Sequence, residues 1–454
     1  MMIETIRIKK GLDIPLGGEA ERRIVDARSI ERYAVKPPDV VGFTPRLLVA
    51  EGDEVIAGQP LVADKADPRL TLPSPVNGVV AAIVRGEKRK LLEVVVSLTP
   101  SPSPERRGGQ ETQVIHFPLL TGEGSGVRLS PVWWMLRERP FGTIANPDHK
   151  PKGIYVSMRD TNPLAPDIDF ALRGREHEFE AGIEALKAFA PVHCVRAEGP
   201  HPAGNIGTIV AALDPINKGE CIWHVGAQDV ANIGRWCLTG EYRPERVIAV
   251  GGPAAKDPHY YRVTVGAYLK QITEAQLMNP EYPAIPEHPG NTATRIIGGS
   301  VLSGSQVAPD GFLGLYDQQL TFIEEGDRYD FMGWLMPGLK KFSFSKTFLS
   351  GLISPIRHIS PISPISYSFT TNTHGSVRPF LFTGQFERVF PFDIYPLQLI
   401  KACIVGDIEL QEQLGIYEVE PEDFALCEFI DPSKTEIQTI IREALEVLRK
   451  EATA

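Results

Sequence analysis

The stretch CIWHVGAQDVANIGRWCLTGEYRPERVIAVGG, residues 221–252, decides the fold class. Residues 221–226 and 246–252 are short apolar runs typical of buried strands, and residues 227–238 between them carry apolar side chains at helical spacing. A strand followed by a helix and another strand predicts a parallel sheet with crossover helices.

The same alternation extends toward the N-terminus. IYVSM (154–158) and VHCV (192–195) are strand-like, and between them apolar residues from Phe179 to Phe189 recur at helical spacing until Pro191. AGNIGTIVAALD (203–214) then predicts another helix. The middle of the chain is therefore predicted to be an α/β domain.

Residues 40–98 have a different pattern, which predicts a small all-β unit. RLLVAEGDEVIAGQPLVADK and LTLPSPVNGVVAAIVRG repeat a strand–turn–strand scheme, and Asn77-Gly78 is a tight-turn signal. This scheme resembles the barrel-sandwich hybrid of biotinyl and lipoyl carrier domains. A carrier would need a modified lysine at a hairpin tip, and the nearest candidate, Lys65, has no methionine beside it. An unmodified turn lysine is favoured, with the carrier as the alternative.

Three further segments stand apart. Residues 99–113, TPSPSPERRGGQETQ, predict a disordered linker or insert, and 343–370, which repeats Ile-Ser-Pro, predicts a loop or insert. Near the C-terminus, Ser433 and Glu436 match a capping box, and apolar residues from Ile437 to Leu448 follow at helical spacing. This predicts an amphipathic helix docked on a neighbour.

Composition restricts the class of protein. Lys and Arg total 47 against 57 Asp and Glu, a formal charge of −10, which disfavours nucleic acid or anionic lipid as the main partner. No run approaches the roughly 20 apolar residues of a membrane-spanning helix, and the N-terminus lacks the apolar core of a signal peptide. The sequence predicts a cytosolic protein that meets a membrane only through partners.

No motif predicts resident redox chemistry. The five cysteines are widely spaced and include no C-x-x-C, so no disulfide framework, zinc site or iron–sulfur cluster is expected; they are Cys194, Cys221, Cys237, Cys403 and Cys427. No histidine pair has metal-ligand spacing, and neither GEGSG (122–126) nor GGPAAKDP (251–258) has the strand–loop–helix setting of a phosphate loop. By itself, the sequence therefore predicts a scaffold or binding subunit without its own redox chemistry.

Several segments, in order along the chain, resemble one family. They are IRIKKGLDIPLGG, GDEVIAGQPL with SPVNGVV, LRERPFGTIANPD, VSMRDTNPLAPD, EGPHPAGNIGT, WHVGAQDV, GGSVLSG, GQFERVFPFDIYPLQLIKA and LCEFIDPSKTE. Together they resemble the NqrA family, the A-type component of the Na⁺-translocating NADH:quinone reductase. That family is similar to the C-type component of Rnf complexes and, more distantly, to the flavin-binding NADH subunit of respiratory complex I.

The resemblance implies a multidomain α/β and α+β protein. We expect a barrel-sandwich hybrid N-domain (1–98), the linker (99–113), a Rossmann-like domain without a flavin loop (114–245) and a β-grasp, soluble-ligand-binding module (246–305). A C-terminal helical domain (306–454) would carry the insert near 350–370.

Two departures from the relatives predict the absence of cofactors. The complex I relative has a glycine-rich flavin-phosphate loop, whereas LRERPFGTIAN (136–146) has one glycine, Gly142, among bulky side chains. Iron–sulfur relatives carry several cysteines near the C-terminus, and here only Cys427 remains. NADH, flavins, iron–sulfur centres and quinone would then be handled by other subunits.

The resemblance also implies a role and partners. We expect a peripheral subunit on the cytoplasmic side of a bacterial inner membrane, beside a membrane-embedded subunit of the B type. The respiratory complex would oxidise NADH, reduce ubiquinone or another quinone, and export Na⁺. The family is implicated in quinone reduction, and the resemblance implies that a quinone contact would lie in the cavity left without flavin, near Asp160, His201, His224 and Asp229.

Three alternatives to this quinone contact stay open. The four residues could be helix caps and turn residues only. The chain could be a structural docking subunit that touches no substrate, or an Rnf-type electron carrier.

Overall fold

The structure is a computed structural model of the chain. It describes residues 3–27, 30–99, 118–121, 128–277, 293–326, 332–333, 335–339, 341–342, 344, 348–350, 366–380 and 384–452. The predicted linker at 99–113 lies outside these residues except for Thr99, and the predicted insert near 350–370 lies outside them except for Ser350 and residues 366–370.

The described residues form strands along most of the chain. In order they are β1 (Glu4–Arg7), β2 (Glu21–Asp26), β3 (Arg32–Val35), β4 (Pro45–Leu47), β5 (Glu54–Val55), β6 (Pro60–Asp64), β7 (Thr71–Pro73), β8 (Gly78–Arg85), β9 (Leu91–Leu98), β10 (Leu120–Thr121), β11 (Arg128–Leu129), β12 (Arg137–Arg139), β13 (Thr143–Ile144), β14 (Ile154–Ser157), β15 (Val192–Glu198), β16 (Ile222–His224), β17 (Glu245–Gly251), β18 (His259–Thr264), β19 (Thr294–Gly298), β20 (Ser305–Gln306) and β21 (Gln319–Glu324).

Helices are concentrated in the middle and at the C-terminal end. They are α1 (Ile168–Ala171), α2 (Glu176–Leu186), α3 (Ile206–Leu213), α4 (Ala227–Thr239), α5 (Lys270–Gln276), α6 (Pro396–Val405), α7 (Ile408–Gln413), α8 (Ala425–Ile430) and α9 (Ile437–Ala452). None of the helices in the described part of the chain has the length and apolar character needed to cross a membrane.

The predicted parallel sheet is confirmed in part, because the strand predicted at residues 246–252 (β17) lies between β18 and β21 of a separate sheet and the other predicted strands form the α/β sheet. The strand order is β1-β15-β14-β16-β12-β13, in which β1, β15, β14 and β16 are parallel and the hairpin of β12 and β13 adds an antiparallel edge. Helices α2 and α4 pack closely, and a Cβ on Gly234 would collide with the backbone carbonyl oxygen of Glu178. A glycine is therefore needed where these helices touch.

The barrel-sandwich hybrid is also confirmed as the fold of the N-terminal β-unit. Sheets β3-β9-β8-β5 and β4-β6-β7 enclose buried side chains such as Val62, Leu72 and Val94. The tight hairpin predicted at Asn77-Gly78 is wrong, because Gly78 begins β8 in one sheet while the preceding strand β7 lies in the other. The Asn77 side-chain oxygen instead accepts the Ala57 N–H at 2.7 Å.

The first two strands leave the segment that we assigned to the N-domain. Strand β1 lies beside β15 in the α/β sheet, and β2 lies beside β18 in a separate sheet of order β2-β18-β17-β21-β19-β20. That sheet also includes β21, beyond the expected end of the 246–305 module. Residues 1–98 thus contribute strands to the barrel, to the α/β sheet and to the third sheet. The sequence did not indicate this, because β1 and β2 pair with strands more than 180 residues later in the chain.

The C-terminal residues form the predicted helical region around a separate core. Phe386, Phe390 and Phe424 are fully buried there, together with Ile437 and Ile441 of α9. The amphipathic helix is confirmed, since its residues Ala444, Leu445 and Leu448 are buried as well.

The predicted capping box is wrong. Lys434 has a φ of 62°, so the chain is not helical there and α9 begins only at Ile437. The Asp431 carboxylate accepts the N–H groups of Ser433 and Thr435 at 3.1 and 2.9 Å, which satisfies backbone donors before the helix begins.

Candidate functional site

Three of the four predicted site residues follow strands of the α/β sheet. Asp160 comes after β14, His201 comes after β15, and His224 is the last residue of β16. These strands are parallel, so the three residues lie at the same edge of the sheet. The structure thus places these three residues at the carboxyl ends of neighbouring strands, and their role in binding stays a prediction.

The segment 136–146, which the sequence analysis compared with a flavin loop, contains a β-hairpin. Residues Arg137 and Glu138 of β12 pair with β13, and the other side of β12 pairs with β16. Arg139 is only 2% exposed and its guanidinium lies 2.6 Å from the carboxylate of Asp423. A charged side chain therefore fills this position, where a phosphate loop would present backbone N–H groups.

A C-terminal segment that the sequence did not reveal supplies carboxylates to this edge. Residues 421–424 form a 3₁₀ turn closed by a capping box, in which Asp423 accepts the Glu420 N–H at 2.9 Å. Glu420 also lies 3.6 Å from the Arg139 guanidinium. The only nearby sequence signal is LCEFIDPSKTE, which begins just after these acidic residues and contains none of them.

Asp160 and Glu422 are linked through one amide. The Asn162 side-chain N–H donates to Asp160 at 3.0 Å and to Glu422 at 3.4 Å. Burial raises the pKa of Asp160, and burial together with Asp160 and Asp423 raises the pKa of Glu422 to about 7. Glu422 is thus a carboxyl group that exchanges its proton near neutral pH.

We call Arg137, Arg139, Asp160, Asn162, His224, Glu420, Glu422 and Asp423 the carboxyl-edge cluster. It contains four carboxylates and two guanidinium groups, so its negative charge is not cancelled within the cluster when all groups are ionised. The helix α3 closes one side, because a Cβ on Gly207 would collide with both oxygens of Asp423 and with the Arg139 guanidinium.

Several buried polar atoms in and beside the cluster have no hydrogen-bond partner within the described protein. They are Asn162 Oδ1, Asn205 Nδ2, Thr208 Oγ1 and His224 Nε2, whereas Arg139 Nε and Glu420 Oε1, which also lack a hydrogen bond, face each other as an ion pair at 3.6 Å. Buried polar atoms in folded proteins are nearly always paired with protein, water or ligand. This concentration therefore indicates a place where a polar ligand or ordered water binds.

Both predicted histidines are uncharged at neutral pH. Burial lowers the pKa of His201 to about 4, and its ring nitrogen Nδ1 lies 3.3 Å from the Thr161 hydroxyl. Burial, with Arg137 and Arg139 nearby, lowers the pKa of His224 well below its usual value. A neutral imidazole can donate or accept a hydrogen bond, but neither ring serves as a permanent cation.

Asp229 has a different environment from the other three residues. It lies in the first turn of α4, and its two oxygens accept hydrogen bonds from the Arg246 guanidinium at 2.7 and 2.9 Å. Both side chains are buried. The carboxylate is fully engaged in an ion pair between α4 and β17, which gives it a structural role in the described protein.

The structure also contains an apolar cleft that the sequence did not reveal. It is a small crevice lined by side chains of the barrel, the α/β domain and the third sheet, among them Val35, Leu72, Trp134, Tyr242 and Leu315. Its lining comes from segments far apart in sequence, so no local motif marks it.

Family comparisons cover most of the chain. The NqrA N-terminal barrel-sandwich hybrid domain matches residues 6–99, the NqrA second alpha/beta domain matches 126–198 and 187–242, and the NQRA C-terminal domain matches 247–285.

Curated relatives match at full length. The A-type component of the Na(+)-translocating NADH-quinone reductase of Rhodopirellula baltica is 35% identical, with 98% of this chain and 98% of the relative covered. The same-named proteins of Pseudomonas aeruginosa and Vibrio atlanticus are 36% and 34% identical, with 98% of this chain and 100% of each relative covered.

A solved structure of an NAD⁺-reducing [NiFe]-hydrogenase in the air-oxidized state is 10% identical, with a TM-score of 0.32 over 67% of this chain and 55% of the other. A similarity this low supports no inference about the present chain.

Proposed function

Because the chain belongs to the NqrA family, it is a subunit of a Na⁺-translocating NADH:quinone reductase, and we propose that it contributes to quinone reduction at the carboxyl-edge cluster. The complex as a whole couples this reaction to Na⁺ export. In this proposal the chain binds no flavin, nucleotide or iron–sulfur cluster, and electrons reach the quinone from cofactors on other subunits.

The observation that carries the quinone proposal is the half-buried carboxyl group of Glu422, which shares the Asn162 amide with Asp160 and has a raised pKa. A quinone takes up protons as well as electrons when it is reduced. Glu422, with a pKa of about 7, is poised to donate a proton near neutral pH, which suits a general acid. The unpaired His224 Nε2 provides a neutral group for hydrogen bonding to a carbonyl oxygen.

The absence of resident cofactors is supported by the side chains at both positions where relatives bind them. Arg139, within the stretch compared with a flavin-phosphate loop, binds Asp423 of the C-terminal region. Cys427 is fully buried, and burial with nearby Glu387 and Asp431 raises the pKa of its thiol well above the usual value. A buried, protonated single thiol is a poor cluster ligand.

The position in the cell is part of the same proposal. We place the chain on the cytoplasmic side of the bacterial inner membrane, in contact with a membrane-embedded subunit of the B type. The alternative of a pure docking subunit predicts that it assembles with these partners but has no affinity for quinone. An Rnf-type carrier would purify with a bound redox group.

The test begins with the isolated chain and a short-chain quinone, followed through tryptophan fluorescence. Trp223 directly precedes His224 and points to the opposite face of β16, so binding at the cluster should change tryptophan emission without direct contact. We expect Glu422→Gln and His224→Gln each to lower the quinone affinity measured by quenching at least about tenfold, because each removes a hydrogen-bonding group from the cluster. His177→Gln, an exposed histidine on α2, should leave it unchanged.

The second measurement is quinone reduction by the assembled complex. Glu422→Gln should lower quinone reduction most strongly below about pH 7, where the unaltered carboxyl group holds a proton to donate, and leave NADH oxidation by an artificial acceptor unchanged. No quenching, together with unchanged quinone reduction in both variants, would leave only the docking role. Stoichiometric flavin or iron absorbance in the purified chain would overturn the cofactor-free part of the proposal.

A further inference from the structure

We propose that Glu138, His149 and Cys221 form a zinc site on the side of the edge hairpin that faces away from the carboxyl-edge cluster. Their ligand atoms, one carboxylate oxygen, one imidazole nitrogen and one thiol sulfur, all lie within 4.8 Å of one another. No sequence motif marks this site, because the three residues have no metal-ligand spacing.

Strand pairing brings the three residues together. Glu138 lies opposite Trp223 on β16, and Cys221 lies just before that strand. His149 follows the hairpin, and its Nδ1 lies 2.7 Å from Glu138 Oε1. Side chains alternate along a strand, so Glu138 points away from the face on which Arg139 meets Asp423.

The carboxylate of Glu138 is held in a fixed orientation. Its Oε2 accepts the Trp223 indole N–H at 2.9 Å and the Asn146 backbone N–H at 3.2 Å. Only Oε1 faces His149. Outer hydrogen bonds of this kind orient ligands in metal sites, so Glu138 is prepared to bind a cation through one oxygen.

The donor set suits Zn²⁺ better than other biological cations. A mixture of one thiolate, one imidazole and one carboxylate is characteristic of zinc, whereas Mg²⁺ and Ca²⁺ prefer oxygen ligands. Tetrahedral zinc separates its ligand atoms by about 3.3–3.8 Å. His149 and Glu138 would move apart slightly and Cys221 would approach, with water at the fourth position.

The site is open to solvent but contains a protected thiol. The His149 side chain is 52% exposed, which provides an entry path. Burial and the nearby Glu138 carboxylate raise the pKa of Cys221 to about 11, so the metal-free residue is a thiol. On binding, a zinc–sulfur bond forms, the thiol proton passes to water, and zinc exchanges bound water for the three ligands.

Metal binding would hold the hairpin of β12 and β13 in a fixed position against β16. Zinc would join the loop that carries His149 to β12 and β16. The same loop is already tied to the barrel by the ion pair between Asp148 and Arg69, at 2.5 Å. Because β12 also carries Arg137 and Arg139, the metal would position those side chains without touching the cluster.

The experiment uses the untagged full chain, freed of metal with a chelator and then titrated with Zn²⁺ alone. We expect one bound zinc per chain by elemental analysis, and weakening of more than about tenfold in Cys221→Ala, His149→Gln and Glu138→Gln, since even outer-shell changes cost about that much. His177→Gln and Cys403→Ala are the matched controls and should bind as the unaltered chain does.

Cobalt provides a reading that does not depend on the variants folding. The Co²⁺-loaded unaltered chain should show a thiolate-to-cobalt charge-transfer band, and its Trp223 emission should change on loading. The site is supported if the unaltered chain binds one zinc, if the three ligand variants bind it more weakly, and if the cobalt-loaded chain shows the charge-transfer band. Absence of stoichiometric binding, absence of the band, or equal binding by Cys221→Ala and the controls would overturn it, with weak surface binding by exposed histidines as the explanation.

Discussion

Two buried arginine–aspartate pairs in this molecule have similar geometry and different surroundings. Arg246 binds Asp229 through two short hydrogen bonds and also donates to the carbonyl oxygens of Leu315 and Asp317. Arg139 binds Asp423 at 2.6 Å, but Glu420 lies beside it and Glu422 is close to Asp423. The first arginine binds one carboxylate, whereas the second lies among several.

The difference shows how a buried ion pair can be recognised as structural or as part of a site. In the Arg246–Asp229 pair one guanidinium faces one carboxylate, so the two charges balance, although Arg246 Nε has no hydrogen-bond partner within the described residues. Around Arg139 the carboxylates outnumber the guanidinium groups, and this surplus helps to raise the pKa of Glu422. By this comparison Asp229 stabilises the fold and the carboxyl-edge cluster is the better candidate for binding.

The largest effect should come from removing each arginine. Arg139→Leu and Arg246→Leu each leave a carboxylate buried without its partner, which we expect to cost about 3–5 kcal/mol at pH 7.5. Arg139→Leu should regain more stability on acidification, because both Asp423 and Glu420 lose their counter-charge and can protonate. Urea unfolding midpoints measured between pH 5 and 8 would test this, and identical pH curves for the two variants would contradict the distinction.

A smaller effect concerns Glu422. Its pKa rises from 4.5 to about 7 on folding, so the folded chain holds an extra proton between those values. Stability from this group is complete below about pH 4.5 and is lost as pH rises through about 7, by up to about 3 kcal/mol. Glu422→Gln should remove that loss, giving a flatter stability curve over pH 5–8. A variant curve parallel to that of the unaltered chain would refute the raised pKa.

The smallest effect should follow Gly207→Ala. The added Cβ would meet Asp423 and the Arg139 guanidinium, which must shift in a packed setting, at a cost of about 1–3 kcal/mol. Gly375→Ala is the control, because no atom lies within 4 Å of the Cβ position there. We would compare thermal unfolding midpoints of the two variants, and equal midpoints would show that the cluster is loosely packed.

Much of the fold could be predicted because its signals are local. The alternating strands and helices between residues 154 and 251 follow from apolar spacing alone, and so does the amphipathic helix α9. The edge hairpin at Arg137–Ile144 was not predicted, because its strands of two or three residues have no periodicity. Pairing of β1 and β2 with later strands depends on contacts between distant segments.

The candidate site, like the fold, could be predicted only where its residues follow local strand signals. Asp160 and His224 could be placed together because both follow strands of one parallel sheet. Glu422 and Asp423 could not, because they lie more than 190 residues later in a turn without a binding motif. Asp229 was also predicted from its position, and the sequence did not indicate that its carboxylate binds Arg246.

The pairing of β1 with β15 has a consequence for synthesis on the ribosome. Glu4 pairs with Val195, so the first strand to emerge remains without its partner until nearly half of the chain has been translated. The nascent segment carries charges of both signs, with Arg7, Lys9 and Lys10 following Glu4, and such residues discourage edge-to-edge aggregation. We expect the charged N-terminal strand to stay unpaired and resistant to aggregation during translation. It can pair with β15 only after residues 192–198 have left the ribosome.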